Sequence, residues 1–142
     1  MTNLLELAER CEKATGPNRS LDVEICVATC TVDSSVNPQY VQNMRPDDDD
    51  DGWVLYEYED ENYTDCAASF TESIDAAMKL VPEGLDWRVD TMTGLPGAIV
   101  CLPNAWLSHK TAPRMVHGKT PALALAAAAL RARASAVTSK ED

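Results

Sequence analysis

The sequence predicts an α+β domain, in which helices cover both faces of a small antiparallel sheet (an α-β-α sandwich). Apolar residues recur at helical spacing near the start, in the middle and towards the end of the chain. Residues 85–91 alternate apolar and polar side chains, as a half-buried strand does. With 142 residues, of which 45% are hydrophobic, the chain can bury one core. We therefore expect a single domain over residues 1–134 and a flexible tail at 135–142.

Two helices are predicted at the start of the chain. Leu4, Leu7 and Cys11 fall on one helical face, and the Gly-Pro pair at 16–17 is a typical stop signal. Ser20 has the side chain and the position expected of the N-cap of a second helix.

The next segment is predicted to be mostly irregular. Residues 33–52 contain two prolines and five consecutive aspartates, so we expect an acidic surface loop. Residues 53–58, WVLYEY, have the aromatic and β-prone composition of a strand. Residues 60–65, DENYTD, are expected to form a turn. Trp53, Trp87 and at least one tyrosine are expected in the core rather than at a ligand site.

A third helix and a hairpin are predicted next. Ser69 or Thr71 is the expected N-cap of the helix, and Pro82 ends it. Residues 85–102 are expected to form the β-hairpin. The buried stripe of the helix is predicted to contain Ile74, Ala77, Met78 and Val81.

The last helix is the most sharply bounded element of the sequence. Thr120 is the expected N-cap and Pro121 the first helical residue. Its many alanines allow close approach to neighbouring elements, and Leu123 and Leu130 are expected to anchor it. Pairing of this helix with its copy in a second chain would give a homo-oligomer.

Charge and composition exclude several classes of protein. The formal net charge is -11 and the pI is about 4.5, so we expect no direct binding to duplex nucleic acid. No stretch approaches the roughly 18 apolar residues of a membrane span, and the first residues lack a basic targeting region, so we expect a cytosolic protein without membrane contact.

The five cysteines match no zinc or redox motif, and we expect reduced thiols, no cofactor and no metal site. A metal site that includes Cys26 and Cys30, four residues apart, is the alternative.

Three segments of the sequence resemble the phage ABA sandwich domain family. They are LLELAERCEKATGPNRSLDVEI, SIDAAMKLVPEGLDWRV and GKTPALALAAAALRARA, in this order along most of the chain. Residues 33–52 do not take part in the resemblance. The resemblance implies a phage origin, the sandwich fold and a location in the host cytoplasm. It implies no catalytic residues. Small phage proteins outside the virion often act against host defence, and by analogy we expect the same here.

The favoured functional hypothesis is sequestration of a small anionic, nucleotide-derived signal at the start of the last helix. Free N–H groups and the helix dipole favour an anion there, and the preceding segment is basic. The cations would contact phosphate, Thr120 would donate a hydrogen bond, and Trp106 would stack on a base. The alternative is that Thr120 only caps its own helix. The absence of a phosphate-loop motif from the sequence favours this alternative. The predicted ligand-binding residues are Trp106, Lys110, Arg114, His117, Lys119 and Thr120.

The second hypothesis is a protein-binding inhibitor of host defence that uses its acidic surface as a mimic of nucleic acid charge. The predicted contacts to a basic host protein are Asp47, Asp48, Asp49, Asp50 and Asp51. The same run is also compatible with a merely solvated segment or a weak divalent-ion site, although it lacks the EF-hand pattern.

We predict that the protein is not an enzyme, because no catalytic motif is present. The alternative is a hydrolase-type activity, in which His109 and His117 would act as general acid and base. A structural or assembly protein of the phage is a further alternative.

Overall fold

The computed structural model describes residues 3–31, 37–91, 94–101 and 115–141. The α+β prediction is confirmed, with the strands arranged in two three-stranded antiparallel sheets of order β1-β2-β3 and β4-β5-β6. The elements in chain order are α1 (Leu4–Lys13), α2 (Arg19–Thr29), a 3-10 turn (Pro38–Tyr40), β1 (Val41–Pro46), β2 (Trp53–Tyr58), β3 (Glu61–Cys66), α3 (Ile74–Met78), β4 (Asp86–Asp90), β5 (Gly97–Cys101), β6 (Val116–His117) and α4 (Pro121–Glu141).

Helix α4 is the centre of the core. Each residue from 122 to 130 is at most 4% exposed, because the helix contacts α1, α3 and the second sheet. Its alanines bring neighbouring backbones close on several sides, and Leu123 and Leu130 are both fully buried as predicted. Since one chain already covers residues 122–130, this part of the helix offers no alanine face for pairing with a second copy. A homo-oligomer through another surface stays a prediction.

Two arginines that follow this buried stretch contact α1 and the turn after α3. Arg131 pairs with Glu12 of α1, with 2.5 Å between Nη2 and Oε2. Arg133 donates from Nε to the carbonyl oxygen of Leu80 at 2.6 Å, and burial lowers the pKa of its guanidinium. The helix continues to Glu141, and flexibility of residues 135–142 stays a prediction.

The helix caps differ in part from those predicted. Thr120 caps α4 as expected, since its Oγ1 accepts from the N–H of Leu123 at 3.2 Å. Asn18, not Ser20, caps α2, because its Oδ1 accepts from the N–H of Leu21 at 3.0 Å. Ser73, not Ser69 or Thr71, caps α3.

The prediction for α3 was wrong in length and in the face that it buries. The helix has five residues, because Thr71 is held outside it by bonds to α2. Ala77 is buried, but Ile74 and Met78 are 38% and 42% exposed. The following Leu80 takes the buried position instead, as the short helix ends in a turn rather than continuing its predicted stripe.

The first sheet contains two strands that the sequence did not predict. Strand β1 lies within the expected loop and pairs with β2, and Val41 and Met44 pack towards the core. Its apolar alternation is broken by a bulge at Asn43, whose φ is 54°. Strand β3 replaces the expected turn at 60–65 and pairs with β2 along its whole length.

The predicted hairpin at 85–102 is confirmed as β4 and β5, paired from Asp86↔Cys101 to Asp90↔Gly97. The placement of two tryptophans was wrong. Trp53 and Trp87 are 41% and 36% exposed. Trp53 lies on the face of β2 opposite to buried Val54 and Tyr56. Phe70 and Tyr56, at 0% and 2% exposure, are the large aromatic residues of the described core, and the expectation of a buried tyrosine is confirmed.

Burial strongly raises the pKa of two of the five thiols. Cys11 and Cys26 are fully buried, and burial raises the pKa of each to about 12 from an ordinary value of 9.0. In the unfolded chain the same thiols ionise near pH 9. Folding therefore binds their protons more tightly, and the stability that this contributes is complete below pH 9 and lost as pH rises towards 12.

Above pH 9, we expect each of these thiols to lower the free energy of unfolding by about 1 kcal/mol per pH unit. Urea unfolding of the wild type and of Cys11→Ala/Cys26→Ala between pH 8 and pH 10.5 measures this. The variant starts less stable but should have the shallower slope with pH. Equal slopes would contradict the assignment.

Within the described residues, no helix is long and apolar enough to cross a membrane.

Candidate functional site: the acidic sheet

The negative charge of the protein is concentrated on one sheet. Residues 41–66, which form β1, β2, β3 and their connections, contain ten acidic residues and one arginine, so they carry -9 of the net charge of -11. We call this unit the acidic sheet. The rest of the chain is close to neutral. Such an asymmetry produces a strong local field that favours a cationic partner.

The five aspartates form the connection between β1 and β2. The N–H of Asp47 donates to the carbonyl oxygen of Trp53 at 2.9 Å, which closes the hairpin. The Oδ1 of Asp47 accepts from the N–H of Asp49 at 2.9 Å. Asp48 to Asp51 are exposed. The run is therefore a turn with defined hydrogen bonds that presents its carboxylates to water.

Arg19 fixes the end of this connection against α2. Its Nη2 donates to the carbonyl oxygens of Gly52 at 3.0 Å and Ala67 at 2.8 Å. Gly52 has a φ of 85°, and a Cβ there would lie 3.0 Å from the Arg19 guanidinium. Glycine is therefore needed both for the turn and for the arginine. This contact positions the aspartates relative to the core.

Asp22 completes the network behind Arg19. It is 1% exposed, accepts from Arg19 Nη1 at 2.9 Å and from the N–H of Thr71 at 2.9 Å. Burial raises the pKa of its carboxyl, and the bonds from Thr71 and Arg19 only partly oppose this. The network thus joins α2 to the segment that follows β3.

Tyrosines on the acidic sheet are arranged as a cluster. The rings of Tyr56 and Tyr63 stack with centroids 5.9 Å apart, and Tyr58 meets Tyr63 edge-on at 6.2 Å. The hydroxyl of Tyr63 donates to Glu61 Oε2 at 3.0 Å, and this bond, followed by the charge of Glu61, raises the pKa of the phenol. Aromatic surface and carboxylates therefore lie side by side.

Two more aromatic residues of this region reach solvent. Tyr40, which precedes β1, is 58% exposed, and Trp53 is 41% exposed. Exposed aromatic side chains between charged residues are typical anchors of protein interfaces.

No protein-family model, curated protein or solved structure matches this chain. The resemblance to the phage ABA sandwich domain family stays a prediction.

The predicted anion site is described only in part. Trp106, His109, Lys110 and Arg114 lie outside the described residues. His117 is the last residue of β6, and Lys119 is exposed. Thr120 directly precedes the first residue of α4. The hydroxyl and the carbonyl oxygen of Thr120 accept from the N–H groups of Leu123 and Ala124. Thr120 therefore caps its own helix, and anion binding at these residues stays a prediction.

No group of three or more potential metal-ligating residues is found in the described part of the chain. Cys26 donates from Sγ to the carbonyl oxygen of Thr31 at 3.0 Å, which explains its position without a metal.

Several residues that shape the acidic sheet were not predicted from the sequence. Arg19 was expected in the connection between the first two helices, and its carbonyl partners lie more than thirty positions away along the chain. The carboxylates near the β2–β3 connection were assigned to a turn. Their only signal was the excess of acidic residues after position 56, which becomes a surface feature once the three strands pair.

Proposed function

We propose that this protein acts by binding a basic partner protein through the acidic sheet and occupying a surface that would otherwise bind nucleic acid. One observation carries the proposal, namely that the acidic sheet, its strands and connections taken together, holds -9 of the net charge of -11. Carboxylates spaced along a rigid sheet present negative charge to a basic surface as a phosphate backbone does.

The local geometry supports a docking role for this sheet. The backbone of the turn that carries the aspartates is held by the bond from Asp47 to Trp53 and by the contacts of Arg19 to Gly52 and Ala67, so the partner meets a preformed turn. Preorganisation lowers the entropic cost of binding. Exposed Tyr40 and Trp53 provide aromatic surface, which can contribute binding energy in addition to the attraction between charges.

This proposal is preferred to sequestration of a small anion. The hydroxyl of Thr120, on which the predicted anion site depends, accepts from the N–H of Leu123 and so already caps α4. The field of the acidic sheet also opposes anions. The resemblance to phage proteins supports a host protein as the partner, and an effect on host defence is part of the proposal.

The test compares two variants with the same loss of charge. Asp48→Asn/Asp49→Asn/Asp50→Asn removes three carboxylates of the acidic sheet and keeps the Asp47 bonds. Glu9→Gln/Glu72→Gln/Glu83→Gln removes three exposed carboxylates elsewhere. Immobilised wild type and variants are incubated with bacterial lysate, and bound proteins are quantified by mass spectrometry with and without a duplex oligonucleotide as competitor.

We expect basic nucleic-acid-binding proteins on the wild type and on the second variant, displaced by the oligonucleotide. For a purified partner at low salt, the aspartate variant should bind about tenfold more weakly, from three exposed interface charges of about 0.5 kcal/mol each. The difference should shrink at high salt. Equal capture by all three proteins would refute the proposal.

A further inference from the structure

A cleft of about 430 Å³ opens at one end of the acidic sheet. It lies where β1 begins and where β2 turns into β3. The acidic residues Glu57, Glu59 and Asp60 line it together with Tyr40 and Tyr58. Glu57 and Tyr58 are consecutive in β2, so their side chains lie on opposite faces of the sheet. The volume of the cleft falls in the range of small-ligand and side-chain pockets in proteins.

The inner part of this cleft is held in place by contacts that do not involve a ligand. Glu57 accepts through Oε2 from the Nδ2 of Asn43 at 2.8 Å, and Asn43 is the bulged residue of β1. One carboxylate is therefore oriented before anything binds.

The outer part is formed by the turn between β2 and β3. Its two central residues, Glu59 and Asp60, have φ values of 53° and 65°. A two-residue hairpin turn with both φ positive is the type I′ turn, for which Asn-Gly is the favoured sequence. Here both positions carry carboxylates instead, and both line the cleft.

The chemistry of the lining selects one class of ligand. Three carboxylates repel anions and make the cleft unfavourable for a purely apolar group. Ring faces and carboxylates together favour a cation, by cation–π attraction and by charge-assisted hydrogen bonds. A planar guanidinium uses both better than an ammonium, because it stacks on rings and bonds two carboxylate oxygens at once.

We propose that this cleft receives an arginine side chain of the basic partner, with the guanidinium against the exposed ring of Tyr40 and its N–H groups directed to the carboxylates of Glu57 and Asp60. The inference rests on the proposed function, since it names the side chain that the acidic sheet recognises. The remaining carboxylates of the sheet then supply the general attraction.

The probe for the test is N-acetyl-arginine amide, titrated into ¹⁵N-labelled protein and followed by amide chemical shifts. The lysine and norleucine analogues are the charged and the neutral comparisons. We expect saturable shifts centred on residues 39–42 and 57–60, weaker binding of the lysine analogue by about threefold or more, and no saturation with the norleucine analogue.

Two variants separate binding from folding. Tyr40→Ala removes an exposed ring and should weaken binding by about threefold to fivefold, whereas Tyr40→Phe should bind as the wild type does. Glu59→Asn/Asp60→Gly installs the favoured turn sequence, so it should raise the Tm while it abolishes saturable binding. Asp48→Asn/Asp49→Asn removes the same charge outside the cleft and should bind within a factor of two of the wild type.

The outcomes for the cleft and for the acidic sheet are distinguishable. Non-saturable shifts, or equal shifts with the arginine and norleucine analogues, would overturn the arginine site. So would unchanged binding by Glu59→Asn/Asp60→Gly. If this variant captures the basic partner as the wild type does, while the triple aspartate variant does not, the proposed function holds and the cleft inference fails. If the cleft binds the arginine probe saturably but no captured protein depends on Asp48–Asp50, the arginine site holds and the proposed function fails.

Discussion

Asp22→Ala is expected to lower the free energy of unfolding by about 3 kcal/mol, because it leaves a buried donor without its acceptor. Asp22 is 1% exposed and accepts from the N–H of Thr71 at 2.9 Å. Alanine would leave that N–H unsatisfied in the core and create a small cavity. Loss of the Arg19 pair adds less, because the Arg19 side chain is 39% exposed and water can replace the carboxylate.

Asp22→Asn is the matched control for this substitution. The amide oxygen can still accept from Thr71, and the neutral side chain avoids the burial cost that raises the pKa of Asp22. We expect a loss of about 1 kcal/mol or less. Urea unfolding at pH 7 measures both variants. If alanine and asparagine cost the same, the hydrogen bond to Thr71 is not what stabilises this region.

Gly118→Ala is expected to cost about 2 kcal/mol, because its new methyl group meets backbone that cannot move aside. A Cβ at this position would lie 2.7 Å from the nitrogen and 3.1 Å from the Cα of Ala124. The glycine also donates its N–H to the carbonyl oxygen of Pro96 at 3.1 Å. Any shift that relieves the contact therefore moves α4 away from the second sheet.

Gly97→Ala provides the comparison for the glycine prediction. Its Cβ would also be too close to a neighbour, at 2.4 Å from the sulfur of Met115. That atom belongs to a flexible side chain, which can adopt another rotamer. We expect Gly97→Ala to lower the thermal midpoint less than Gly118→Ala does. The reverse order would show that α4 adjusts more easily than Met115.

Elements with a strong local pattern were predictable from the sequence. Helices α1 and α4 and the hairpin β4–β5 have clear periodicity and clear boundary residues, such as the Thr120-Pro121 start of α4. Strands β1 and β3 were not predictable, because they are polar and largely exposed and gain their stability from pairing with β2. A pattern within one segment contains no information about the strand with which that segment pairs, so such a strand cannot be predicted from the segment alone.

The candidate site divides in the same way. The five consecutive aspartates were visible in the sequence as a candidate contact surface, and the structure places them on an exposed hairpin. The cleft beside Tyr40 was not visible. Its residues come from two segments that meet only when Val41 pairs with Tyr58.

The sequence by itself determined the α+β class, the burial of the alanine-rich helix and the excess of negative charge, because these depend on composition and on periodicity within one segment. The tertiary structure alone decided that nearly all of this charge lies on one sheet and that Arg19 fixes its turn. It also decided that two tyrosines and three carboxylates share a cleft. These features depend on contacts between residues far apart in the chain, which strand pairing and helix packing create together.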